Sequence, residues 1–512
     1  MILHTILPGY PTGLAHQNRS RQCTVGEDII TRMDENFRQS ARVILRITLV
    51  LILTPLLGLG AQSHAASHEL RRAQHALDLG MNLAASQHLS RAAQQLPSRP
   101  ELWVQAGSLA LEGGDPQAAV QHFETAAGHG LSESGQLQLG DAYLQTGDRD
   151  SARLIWENLA NQEKPNPEAL ERLVRFNLEN GDISGATASL QALTTLQPDN
   201  AHNYYQLGLL VATRDPEASL VYLARAAELD ADFTARTRTL QRGISTSRLD
   251  DDPAYRLMGA GRALASLEEW QYAAEAFRQA TIVRPDYADA WAYLGEALQH
   301  APSENLPQET GFAELEKALE IDPRSLSATT LLALYWQRQS RYDLALEAIQ
   351  SATALAPNNP VLQVELGNTL ALQGDLEAAY LAYLQAIRLA STDPGYYNFL
   401  VGFSLTYDYH VREIALPASR QALLLSPNDP ASLDTMGQVL LQLGDLVNAE
   451  RFFTRAIESD SHHASAHLHL GMLYLVLNQG EQAYHSLSQA VSLAPHTAAG
   501  KQAQQLLHNA VP

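Results

Sequence analysis

Apolar positions in this chain recur at helical spacing, in short runs that end at glycine or proline, and the runs themselves repeat. The stretch 430–497 shows this most plainly. Divided at residue 464, its halves superpose: Met436-Gly437 on Leu470-Gly471, Leu440 on Tyr474, Ala449 on Ala483, Phe453 on Leu487 and Ala456 on Ala490. The period is 34 residues and extends upstream through most of the chain. Self-similarity at this spacing predicts stacked helix pairs, not separate globular domains.

The unit 360–393 shows the local logic. Asn359 is a suitable N-cap and Pro360 suits the first helical position, where its missing N–H costs nothing. Leu366, Gly367 and Leu370 stripe the first helix. Gly374 suits the left-handed residue ending that helix, and Asp375 the N-cap of the next. Ala379, Tyr383 and Ala386 then stripe the second helix. Gly367 and Ala379 mark close backbone approach. The glycine-aspartate break recurs at Gly114-Asp115, Gly147-Asp148, Gly181-Asp182 and Gly444-Asp445, and prolines such as Pro198, Pro285, Pro323, Pro357 and Pro427 close several second helices.

This pattern resembles the tetratricopeptide repeat family. Trp291, Leu294-Gly295, Ala318 and Pro323 match its motif, as do Leu139-Gly140, Tyr143, Ala152 and Trp156. The resemblance implies an all-α fold of about 12 tandem repeats in a right-handed superhelical solenoid. Repeats are expected over 66–231 and 254–497. Between them, 232–253 breaks the period. Its Arg236, Arg238, Arg242 and Arg248, followed by Asp250-Asp251-Asp252, read either as an anion-binding patch or as a helical extension and polar linker. Ala301 to Glu309, with Pro302 and Pro307, reads as a loop inserted within one repeat. The unit 396–429 departs most, with Gly402-Phe403 one place out of step with Ala415, Ala422 and Pro427. A polar helix over 498–512 is expected to cap the end of the stack.

The N-terminus reads differently. Residues 1–32 lack any period and form a disordered leader or lie before a true start at Met33. Residues 33–65 carry Arg38, Arg42 and Arg46, an apolar run from Ile47 to Gly60, and Ser63-His64-Ala65 as a cleavage sequence ending at Ala65. They form either a cleaved export signal or an N-terminal anchor, and both readings place the repeats outside the cytoplasm. The one cysteine is Cys23, so the repeats have no thiol or disulfide chemistry. The net charge is −21 at pH 7. Such acidity argues against nucleic acid as a partner and against a membrane, except through an uncleaved N-terminal segment. It favours cationic or neutral partners.

No catalytic residues emerge. The sequence has no glycine-rich phosphate loop, no nucleophile elbow and no paired-histidine zinc motif. No cofactor is implied. His462, His463, His467 and His469 cluster, but they straddle the turn into the last repeat, and His467 takes the place of the family's packed tryptophan. No metal site is assigned to them.

In the family, first helices line a groove that binds extended peptides or helices through the second, fifth, ninth, twelfth and thirteenth positions of each repeat. Numbered from 396, the departing repeat presents Tyr397, Leu400, Ser404, Tyr407 and Asp408, beside Val364 and Asn368 of the preceding one. These residues form either an aromatic binding hot spot or packing between misaligned helices. The lysines are Lys164, Lys317 and Lys501, so the family's grip on a C-terminal carboxylate is not expected. The expected function is a non-catalytic, exported scaffold binding a protein or peptide. The alternative is an accessory subunit of an envelope or polysaccharide-handling enzyme complex.

Overall fold

The computed structural model describes residues 64–247, 251–301, 310–495 and 497–510, which fall into two compact units, 64–241 and 242–510. The leader, nearly all of the proposed signal, Arg248, Asp250 and the inserted loop from Pro302 to Glu309 lie outside the described residues. Among those described, every regular element is helical.

The first unit holds five helix pairs: α1 (His64–Asp78) with α2 (Asn82–Gln95), α3 (Glu101–Glu112) with α4 (Pro116–Ala127), α5 (Glu133–Thr146) with α6 (Arg149–Ala160), α7 (Pro167–Glu179) with α8 (Ile183–Leu196), and α9 (Ala201–Ala212) with α10 (Pro216–Leu229). A 3₁₀ turn (Ala231–Phe233) leads into α11 (Thr234–Ser247), within which the boundary between the units falls.

The second unit holds seven pairs. They are α12 (Pro253–Ser266) and α13 (Trp270–Val283), α14 (Ala288–His300) and α15 (Phe312–Ile321), α16 (Leu326–Arg338) and α17 (Tyr342–Leu355), and α18 (Pro360–Gln373) and α19 (Leu376–Leu389). Then come α20 (Pro394–Thr406) and α21 (Leu416–Leu425), α22 (Pro430–Gln442) and α23 (Leu446–Ser459), and α24 (Ala464–Val476) and α25 (Gly480–Leu493). The terminal α26 (Ala498–Ala510) buries Ala503 against Leu468, Leu487 and Ala490 and so closes the apolar end of the stack.

Each turn within a pair follows from its sequence. Gly374 and Gly444 adopt φ of +98° and +81°, values costly for a side chain. The following aspartates cap the second helices: Asp375 accepts from the Ala378 amide at 3.0 Å, and Asp445 from that of Asn448 at 3.3 Å. Five of the pairs are locked by a size match. A ring from the second helix lies over a glycine of the first: Phe123 over Gly107, Trp156 over Gly140, Phe277 over Gly261, Tyr383 over Gly367 and Phe453 over Gly437. A β-carbon at any of these glycines would come within 3.0 Å of the ring, which forces a shift of helix or ring.

Within the second unit, successive first helices touch one another: α14 and α16, α16 and α18, α18 and α20, α20 and α22, α22 and α24. Successive second helices have no contact of similar extent among the described residues. A two-layer stack with one layer drawn closer curves toward that layer, so the first helices form the inner face of this unit.

The departing repeat solves its register in another way. Its first helix starts at Pro394, capped by Asp393, just as Pro360 follows Asn359 and Pro430 follows Asp429. Numbered from 394, its buried residues Tyr396, Val401 and Phe403 take the third, eighth and tenth places, as do Ser432, Gly437 and Val439 in the next repeat. The register is therefore two residues earlier than numbering from 396 implies. Two residues must be absorbed before Ala415, and the backbone is unusual where that happens. Asp408 and His410 adopt left-handed φ of +50° and +49°, and Val411–Ala415 forms a π-helical turn, which accommodates an extra residue. The size match is also inverted. Val401 stands where those five pairs have glycine, and Ser419 where they have a ring, and both are fully buried.

Candidate partner-binding face

The shift in register relocates the expected site. Tyr397 becomes the fourth residue of its repeat, and its hydroxyl donates to the Ser391 carbonyl six residues back, at 3.3 Å. Trp291 donates to the Pro285 carbonyl at 2.8 Å in the same way, and His467 Nε2 lies 3.1 Å from that of Ser461. All three tie the turn between repeats. Leu400 and Ser404 are 3 % and 0 % exposed, and the Ser404 hydroxyl donates to the Tyr409 carbonyl. They pack the helices and do not line a surface. Val364 is buried too. Tyr407 packs on Phe403 with ring centroids 5.6 Å apart, and Asp408 accepts from Gln442 at 2.9 Å, joining two repeats. The aromatic residues of this repeat thus mostly hold its longer turn. Of the expected set, Asn368, Tyr397, Tyr407 and Asp408 retain access to solvent.

The groove positions in the observed register are Gly395, Asn398, Gly402, Leu405 and Thr406. None is buried, and a β-carbon on Gly402 would meet open space. Asn368, Gly402, Gln438 and Met472 form one row at the ninth position of four successive repeats. Gly402 leaves a gap in that row. The signal for this register, Asp393-Pro394, was present in the sequence; the alanines after the turn pointed elsewhere because two residues intervene.

Polar side chains tie first helix to first helix across several joints. The ninth residue of one repeat meets the sixth of the next: the Ser108 hydroxyl donates to Gln138 at 2.5 Å, and Asp141 accepts from Arg172 at 2.7 Å and 2.8 Å. Fifth-to-sixth pairs do the same later, with Asn398 accepting from Thr435 at 3.0 Å and Asp434 meeting His469 Nδ1 at 2.8 Å. Between α14 and α16 the tie is ionic. Glu296, 2 % exposed, is held by Arg338 at 3.1 Å and 2.5 Å and by His300 at 3.1 Å. Burial pushes its carboxyl up. The charges of Arg338 and His300, with their hydrogen bonds, outweigh that and hold it below its ordinary value.

Burial holds His467 neutral to a lower pH than usual, fitting its role as a packed turn residue. His469 belongs to Asp434, and the His463 backbone begins α24. Among the described residues no three metal-ligating side chains converge, and no helix is long and apolar enough to cross a membrane.

Two models of the tetratricopeptide repeat match this chain, one over 70–132, 137–201, 258–304, 313–360 and 330–394, the other over 440–507. Together they cover more than half of it. The chain belongs to the tetratricopeptide repeat family. The matched intervals stop at 394 and resume at 440, on either side of the repeat with the shifted register. Similar proteins include the CTR9 homolog of Arabidopsis thaliana, 23 % identical over 44 % of this chain and 21 % of that protein. Cellulose synthase operon protein C of Xanthomonas axonopodis pv. citri is 25 % identical over 83 % of this chain and 27 % of its own length. The chain thus spans about a quarter or less of either relative. Yeast Tom70 is a structural neighbour with 16 % identity and a TM-score of 0.43, covering 87 % of this chain and 95 % of that one.

Proposed function

We propose that this tetratricopeptide repeat protein is a non-catalytic, exported scaffold that holds a protein or peptide segment on the first-helix face of its second unit. The observation that carries this reading is the gap at Gly402, flanked along the ninth-position row by Asn368 and Gln438. Concave, partly apolar surfaces with a few polar groups are where partners gain most binding energy. Export rests on residues 33–65, with their arginine flank, apolar run and small residues before Ala66. The acidic balance of the chain suits a neutral or cationic partner.

A second reading makes the scaffold an accessory subunit of a polysaccharide-handling enzyme complex. It is favoured by the similarity to cellulose synthase operon protein C, which runs over 455 residues. Both readings use the same face.

Gly402→Trp tests that face. Nothing packs on the glycine, and tryptophan is the better helix former by roughly 0.5 kcal/mol, so the variant should melt no lower than wild type. A pulldown from the native source should lose its dominant partner. A partner retained at full yield would contradict the assignment.

A further inference from the structure

The joint of α16 and α18 is tied by Gln337, which donates to the Thr369 hydroxyl at 2.7 Å, but its sixth position finds no partner in the preceding repeat. At the joint of α16 and α18 the sixth position holds Glu365, but the preceding repeat offers Thr330 at the fifth place and Leu334 at the ninth. Leu334 is apolar, and the Thr330 hydroxyl is spent on the Leu326 carbonyl at 2.7 Å. The one cation of α16, Arg338, is committed to Glu296. Glu365 is partly buried and has one side-chain hydrogen bond, from the Asn368 amide to Oε2 at 3.2 Å. Asn368 is itself fixed, its Oδ1 accepting from the Tyr383 hydroxyl at 2.5 Å. Tyr383, Asn368 and Glu365 thus form an oriented chain that ends on a partly buried carboxylate, for which the described residues supply no counter-charge.

This arrangement is costly to the fold. Burial pushes the Glu365 carboxyl up, and the Asn368 hydrogen bond only partly offsets that. The hydroxyl of Tyr383 has Glu365 and Tyr407 as its titratable neighbours, and neither brings positive charge. Glutamine would keep the hydrogen bond from Asn368 without the desolvated charge. A carboxylate held at such a site is suited to a cation supplied from outside.

Resting on the scaffold reading above, we infer that Glu365, oriented by Asn368 and Tyr383, anchors a lysine or arginine side chain of the segment bound on the first-helix face. The ninth-position row from Asn368 to Gly402 then receives the residues that follow. The overall negative charge of the chain draws such a segment in.

The test is selection of phage-displayed random dodecapeptides on the full chain, on Glu365→Gln and on Gly402→Trp. Wild type should enrich peptides with Lys or Arg at one fixed position. On Glu365→Gln that position should return to library background while the rest of the motif persists. A synthetic peptide of the motif should bind Glu365→Gln about tenfold more weakly. The variant should melt higher than wild type at pH 7 and equal to it below the carboxylate range, because a raised folded pKa costs stability only as pH rises through it. Enriched peptides without a fixed basic residue, or with one that survives on Glu365→Gln, would overturn the anchor alone. No enrichment on wild type, or motifs unaffected by Gly402→Trp, would overturn the scaffold reading and the anchor with it.

Discussion

Arg338→Leu should destabilise the second unit by about 3–5 kcal/mol at neutral pH, because it strands the buried carboxylate of Glu296. His300 remains, 3.1 Å away and stacked on Trp270, but it supplies a full charge only when protonated. Arg338 also donates to Gln299 at 3.1 Å, so the link from α14 to α16 loses a second strut. The loss should depend on pH with a defined sign. In wild type the Glu296 carboxyl is held below its ordinary value of 4.5, so its contribution is present above that value and fades as pH falls through the lowered one. In the variant the carboxyl is desolvated without its main counter-charge, so acid relieves the cost. Urea unfolding followed by circular dichroism should show the two proteins converging below about pH 4 and diverging above pH 6. Glu296→Leu with Arg338→Leu should recover most of the loss, since a packed apolar pair replaces a buried ion pair at little cost. Equal stability of Arg338→Leu and wild type at pH 7 would show that the pair does not form.

Ala449→Asp should be at least as severe. Ala449 is fully buried in a cluster with Phe453, Leu470 and Leu473, where α23 meets its own first helix and the next. No cation among the described residues of that cluster could compensate a charge there. An unpaired carboxylate in such a site costs several kcal/mol, or is protonated at nearly the same cost. Because repeats stabilise one another through shared interfaces, the damage should spread to its neighbours. Amide exchange should accelerate over 430–507 while 64–241 keeps its protection. An unaltered melting temperature and exchange pattern would mean that α23 does not pack this way.

The helix pairs were legible because their devices are local. Glycine before aspartate, proline after an N-cap and small residues facing rings all act within one repeat, so a 34-residue period preserves them together. The site was less legible because register is a property of the joint, not of the residue. Ala415, Ala422 and Pro427 lie downstream of two extra residues, and counting back from them put Tyr397, Leu400 and Ser404 on the groove. Counting forward from Asp393-Pro394 makes Tyr397 a turn tie and buries the other two. The exposed row through Gly402 was hidden for the same reason, and because an absent side chain leaves no pattern. Glu365 was missed because its oddity lies in what faces it. A glutamate on a helix is ordinary; one opposite Leu334, where several other joints present a hydrogen-bonding partner, is visible only once the repeats are stacked.

The most direct test of the central claim, that the first-helix face holds the partner, is site-specific photocrosslinking in the native source. A photoreactive residue at Thr406, exposed on the first-helix side, should give one dominant adduct of a single protein. The same residue at Leu424, 75 % exposed on a second helix, should give none. Adducts from Leu424 alone, or equal and heterogeneous adducts from both positions, would contradict the account.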